Sequence, residues 1–149
     1  MEDKRLELEK LTRIFLDAMH LDLTPTLTEM DDAIRIDLEG ADVDLLLERR
    51  ATTLESLQLI LRKVAGRQLD LGKRLVLDCA GYREGRENEL IQIAINAAEK
   101  VRKLGEPIDL SLMNSYERRL VHMALRDEEG IKTASQGEGL LKRVRVLPT

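Results

Sequence analysis

Apolar side chains recur along the chain at two spacings, and the changes between them mark out the elements. From Glu2 to His20, Leu6, Leu11, Ile14, Phe15 and Ala18 return at intervals of three to five, with Leu8 as an extra, and predict an amphipathic helix. Thr24-Pro25 stands outside it, because proline lacks an amide donor and restricts the residue before it. Ala33-Ile34-Arg35-Ile36-Asp37-Leu38 alternates strictly and predicts a half-buried strand. The polar stretch Glu29 to Asp32 before it reads as a hairpin turn, with Leu21 to Leu27 as a weaker partner strand. A short apolar run from Asp42 to Leu47 and the polar Glu48-Arg49-Arg50-Ala51 follow. Thr52 or Thr53 can cap the next helix, with Leu54, Leu57, Ile60, Leu61 and Val64 on one side and Gly66 as its stop.

Lys73 to Cys79 is a further strand, and Gly81-Tyr82-Arg83 opens a long helix, Glu84 to Leu104, that Gly105 and Pro107 end. Beyond it lie a short extended piece (Ile108 to Leu112), a helix from Ser115 to about Leu125, a polar loop, and a final strand Leu141 to Leu147. The fold class expected is α+β, in two small α/β sandwich units joined by a long helix. The expected divisions are residues 1–80, a linking helix 81–106, and residues 107–149.

Composition narrows the chemistry. The only aromatic residues are Phe15, Tyr82 and Tyr116, so the core must be aliphatic and a platform of stacked rings is excluded. No stretch approaches the roughly 20 apolar residues that span a bilayer, and the first residues lack the apolar segment of a secretion signal. Cys79 is alone, so neither an internal disulfide nor a cysteine-rich metal site can form. A cytoplasmic protein without membrane insertion, metal or cofactor is the expectation. Net charge is −4, but it is uneven: residues 1–61 hold 7 basic and 15 acidic groups, and residues 62–149 hold 17 and 13. A basic half suits a polyanion; equally, the two halves can simply clothe solvated faces.

The helix after Ser115 carries the most informative pattern. At about 100° per residue, Arg118, His122, Arg126 and Arg119 fall within one arc of about 100°, and His122 lies inside it, away from the aliphatic face of Leu120, Val121, Ala124 and Leu125. A lone histidine is commonly structural, yet Arg118 one turn away projects from the same face, at a spacing suited to phosphate contacts. Arg118-x-x-x-His122 resembles the signature of the small domain named for its Arg-x-x-x-His motif, which binds single-stranded nucleic acid. Ser115-Tyr116-Glu117-Arg118-Arg119, Ser135-x-Gly137-x-Gly139 and Lys142-Arg143-Val144-Arg145-Val146 extend the likeness over Leu110 to Pro148.

The earlier part resembles a KH domain of the bacterial arrangement, in which a Gly-x-x-Gly loop lets bare backbone approach the nucleic acid. Here the place is taken by Glu48-Arg49-Arg50-Ala51, with Leu45-Leu46-Leu47 before it and Thr53-Leu54-x-x-Leu57-Gln58 after it. Both glycines are gone. Side chains at 48 and 51 obstruct the approach and Glu48 repels phosphate, while Arg49 and Arg50 still attract it. The expectation is a weakened loop, in a unit kept for packing or for pairing with another subunit. A KH unit, Asp78-x-x-Gly81-Tyr82-Arg83-x-x-Arg86, then the Arg-x-x-x-His domain together resemble the bacterial Jag family, without its separate N-terminal domain. The resemblance implies a cytoplasmic RNA-binding protein, an RNA chaperone or post-transcriptional regulator. It further implies a small KH partner or a homodimer, and a link to cell-envelope growth and division.

The expected contacts with single-stranded RNA are therefore Arg118, His122, Arg119, Arg126, Arg143, Arg145 and Tyr116, with Arg83, Arg86, Arg49 and Arg50 as secondary ones. Arg83 and Arg86 open a helix whose N-terminal amides already favour phosphate; alternatively they pair with Glu84, Glu87 or Glu89. Arg143 and Arg145 share one face of the last strand, to meet a polyanion or to protect an edge. Tyr116 can stack a base or anchor its helix. Catalysis has no sequence support: no carboxylate, cysteine or histidine neighbours a partner at a diagnostic spacing, and no phosphate-binding glycine loop is present. Two other readings stand beside RNA binding, a protein-interaction scaffold and a binder of single-stranded DNA.

Overall fold

A computed structural model describes residues 2–149. The chain divides into two compact units, the first ending at Arg83 and the second spanning Glu84–Thr149.

The first unit runs α1 (Glu2–Ala18), β1 (Thr24–Glu29), β2 (Ala33–Glu39), α2 (Val43–Gln68) and β3 (Arg74–Cys79). β2 is the central strand, antiparallel to β1 and parallel to β3. Pro25 is tolerated because β1 is an edge strand. Ile34, Ile36 and Leu38 of β2 meet Leu75 and Leu77 of β3 and the α2 leucines in one aliphatic core. The buried face of α1 differs from the expected one. It is Leu8, Thr12 and Leu16, with Leu11 and Phe15 partly covered, while Leu6 and Ile14 are exposed. A polar residue can lie in this seam because the Thr12 hydroxyl donates to the Leu8 carbonyl at 2.8 Å.

The apolar run 43–47 is helical, and α2 breaks at Glu48–Ala51 before resuming. Glu48 is extended, and Arg49, Arg50 and Ala51 are all left-handed, with φ of 49°, 59° and 58°. Neither threonine is seen capping: the Thr52 hydroxyl donates to the Arg49 carbonyl at 2.5 Å. Gly66 does not stop the helix, which continues to Gln68 with Leu69 as its cap. The stop comes from Leu69 turning extended to bury its side chain in the core.

The second unit contains most of α3 (Tyr82–Leu104), then β4 (Ile108–Asp109), α4 (Ser115–Leu125), β5 (Ile131–Gln136) and β6 (Arg143–Pro148). β6 is central, antiparallel to both neighbours. α3 is no free linker: Leu90, Ala94, Ala97, Ala98 and Val101 belong to the same core as Val121, Leu125, Val144 and Val146. β5 occupies what reads in the sequence as polar loop. Ile-Lys-Thr-Ala-Ser-Gln has one strongly apolar residue, so only its pairing with β6 reveals the strand.

Gly40 has φ of 148°, and a Cβ there would collide with the Asp22 carbonyl oxygen. Gly40→Ala should therefore cost the first unit about 2 kcal/mol, read as a lowered midpoint in urea unfolding. Arg50→Gly should do the reverse, gaining up to about 1 kcal/mol by relieving a left-handed non-glycine residue.

Candidate nucleic-acid interface

α4 begins at Asn114, whose side-chain oxygen accepts the Glu117 amide at 2.9 Å. Val121 and Leu125 are its fully buried residues, and the arc beside them runs outward from half-buried Arg118 and His122 to exposed Arg126 and Arg119. There Arg118, Arg119, His122 and Arg126, together with Ser115, line an open groove whose other wall is Ile131, Lys132, Thr133 and Ser135 of β5. Four sequence-predicted residues thus come together, and Ser115, Lys132, Thr133 and Ser135 join them. Lys132 and Thr133 escape sequence reading because β5 does; Ser135 enters there only through the family likeness.

His122 is the hinge of this groove. Its Nδ1 lies 2.6 Å from the Thr133 hydroxyl and its Nε2 lies 2.9 Å from the Ser135 hydroxyl. Burial first, and then the Arg118 charge, hold its pKa below the usual histidine value. A neutral ring has one donor and one acceptor nitrogen, which suits two hydroxyls that can each play either part. Arg118 is also tied down: its Nη1 donates to the Met113 carbonyl at 2.6 Å and to the Leu140 carbonyl at 3.5 Å. Arg119 and Arg126 are exposed, and Arg126 makes only a loose 3.7 Å ion pair with Asp127.

Other candidates lie elsewhere. In the β5–β6 register Thr133 stands opposite Val146 and Ser135 opposite Val144, on the buried side, whereas Gln136 and Ala134 stand opposite Arg143 and Arg145. Directly paired residues point to the same face. Arg143 and Arg145 therefore occupy the far face of the sheet, away from the groove. Arg145 is further engaged in a two-pronged pair with Asp109 at 2.6 and 2.9 Å, which lowers the Asp109 pKa. Tyr116 is 57% exposed, outside the groove, and its hydroxyl donates to Glu87 on α3. The ring anchors α4 through its hydroxyl and leaves much of its surface open.

Arg83 is held within the first unit. Its Nε donates to the Leu77 carbonyl at 2.7 Å, Nη1 to Glu55 at 2.7 Å and Nη2 to Gln58 at 2.8 Å. None of the expected glutamates is its partner; it bolts β3 to α2. Asp78 Oδ1 accepts the Arg83 amide at 3.2 Å, satisfying a donor of the first turn of α3. Arg86 is only 15% exposed and lies between Glu89 at 3.0 Å and Glu117 at 3.6 Å. Both side chains are mostly covered and engaged by partners within the protein. Arg49 and Arg50 are exposed on the left-handed turn, remote in sequence from the groove and in the other unit. Burial, with Asp78 second, pushes the Cys79 thiol up to about 11, so it is not a nucleophile at neutral pH.

Two expectations follow. Arg83→Ala removes charge-assisted hydrogen bonds on three sides and should cost the first unit about 2 kcal/mol, measured by chemical unfolding. His122 titrates in the opposite sense to a salt-bridged histidine: the unfolded chain holds the proton more tightly. Its contribution to stability is complete above pH 6.5 and is lost as pH falls through the lowered folded value. Wild type should accordingly lose more stability between pH 7.5 and 5.5 than His122→Gln does.

Residues 88–148 match the R-3-H domain family, a span that includes most of α3, α4 and the whole second sheet. The chain is 34% identical to RNA-binding protein KhpB of Clostridium symbiosum over 146 residues, 97% of this chain and 64% of that one. It is 33% identical to RNA-binding protein KhpB of Bacillus subtilis over 116 residues, 76% of this chain and 56% of that one. The chain thus spans less than two thirds of the length of these relatives. The groove between α4 and β5 lies within the residues that match the R-3-H domain family.

Proposed function

We propose that the protein is a non-catalytic binder of single-stranded RNA whose working surface is the groove between α4 and β5. The observation that carries this reading is the convergence of Arg118, Arg119 and Arg126 on one open groove around a hydroxyl-braced histidine. Guanidinium groups suit phosphate oxygens in shape as well as charge. The names of the two KhpB relatives favour RNA over DNA as the ligand, and single-stranded DNA is the comparison ligand. With so few rings near the groove, most of the affinity is electrostatic and little of it depends on sequence. In the wider reading the protein is an RNA chaperone or post-transcriptional regulator acting in the cytoplasm, tied to envelope growth and division.

The first unit is read as a KH domain of the bacterial arrangement with an altered loop. Supporting this are the two helical segments of α2 and the break at Glu48–Ala51, where the likeness puts the nucleic-acid loop. Three left-handed side chains crowd the backbone there, and Ala51 is fully buried. The unit serves packing, or pairing with a small KH-domain protein or a second copy. The exposed Leu59 and Ile60 of α2 favour pairing.

Arg119→Ala/Arg126→Ala removes groove cations that hold no strand or loop in place. In titrations of labelled single-stranded RNA at several salt concentrations, the double variant should bind at least tenfold more weakly. Its log–log salt slope should be shallower by about 1.4, near 0.7 for each lost phosphate contact. Equal binding by wild type and variant places the contact elsewhere, with Arg49 and Arg50 the next residues to change.

A further inference from the structure

The tip of the β5–β6 hairpin carries two leucines with no place in the core: Leu140 is 91% exposed and Leu141 53%. Gly137 and Gly139 make the turn with φ of 116° and 87°, values that side-chain-bearing residues rarely adopt. The tip is held in a defined position. Met113 and Lys142 exchange backbone hydrogen bonds of 2.8 and 3.0 Å, and the Leu140 carbonyl accepts from Arg118 Nη1. Arg118 also lines the cationic groove. A pair of exposed leucines is therefore fixed at the end of a surface that suits a polyanion, within one arginine's reach of it.

On a single strand, each phosphate is flanked by an unstacked base that seeks apolar cover. Single-stranded binders usually supply that cover with aromatic rings. This chain has three, and Tyr116, on α4, lies outside the groove. Leucine also packs against bases, as the apolar wedges of groove-bending proteins do. Arg118 makes its protein bonds through Nη1. Its Nε and Nη2 can serve a phosphate oxygen, since a guanidinium has five N–H donors in a fixed fork.

We propose that Leu140 and Leu141 form an apolar shelf that packs against the base of a nucleotide whose phosphate is held by Arg118. The groove then grips single-stranded RNA by a base as well as by its backbone. This deepens the RNA-binding reading above and rests on it. Because the contact is with the ring and not its edge, it adds affinity without choosing a sequence.

The test uses the full chain, wild type and Leu140→Ser/Leu141→Ser, against a short single-stranded RNA of mixed sequence and an abasic ribose-phosphate strand of equal length. Both leucines are exposed, so unchanged thermal melting checks that folding is intact. The variant should bind RNA about fivefold or more weakly with an unchanged salt slope, while the two proteins bind the abasic strand equally. Equal RNA affinities overturn the shelf, as does an equal loss on both strands, which would place the effect on the backbone. Loss of binding to vesicles of phosphatidylglycerol and phosphatidylcholine, with RNA affinity intact, overturns it in favour of a lipid surface. If wild type binds no RNA, the underlying reading falls and the shelf with it, whereas RNA binding that ignores the leucines removes the shelf alone.

Discussion

Burial of Val121 and Leu125 against Ile131, Val144 and Val146 sets the rotation of α4, and nearly everything about the candidate interface depends on that rotation. A helix of 11 residues with two fully buried side chains has a narrow seam. Turning it toward the groove by one residue, about 100°, would bury His122 and expose the valine and leucine. The alanine-rich face of α3 completes the same core, so α3 helps fix α4 although it supplies no group to the groove. His122 then locks the relation between α4 and β5, bridging Thr133 and Ser135 from the seam's outer margin.

Two classes of cation emerge from this frame. Arg83, Arg86 and Arg145 have carboxylate or carbonyl partners at hydrogen-bonding distance and act as internal fasteners. Arg119 and Arg126 face solvent across the groove and have little to lose by binding a phosphate. Arg118 belongs to both classes, since it stitches the turn before α4 to the hairpin tip through one nitrogen and lines the groove as well. Desolvating a cation already paired costs more than the new contact returns, so the second class is the natural one for RNA.

The sequence makes the coarse architecture legible wherever one period dominates. The alternation in Ala33–Leu38, the sheet-forming run ending at Cys79 and the outward arc of α4 all emerge as read. It fails where a single residue overrides the pattern. Thr12 is polar yet buried, because its hydroxyl bonds back along the helix, while Ile14, on the other side of α1, is exposed. Ile131–Gln136 forms a strand through its partner and not through its own composition. Arg83 cannot be assigned from its helix alone, since its partners Glu55 and Gln58 are 28 and 25 residues away. Arg143 and Arg145 are correctly placed on one face; which face meets the helix depends on the register of β5, a strand the sequence conceals.

The central claim is that single-stranded RNA occupies the groove between α4 and β5. It is tested most directly by following backbone amide resonances of the full chain while unlabelled single-stranded RNA is added. The account predicts shifts concentrated in residues 115–126 and 131–135 and at the hairpin tip, with the far-face Arg143 and Arg145 and the 48–51 turn little changed. Shifts concentrated at residues 48–51 with α4 silent would contradict it.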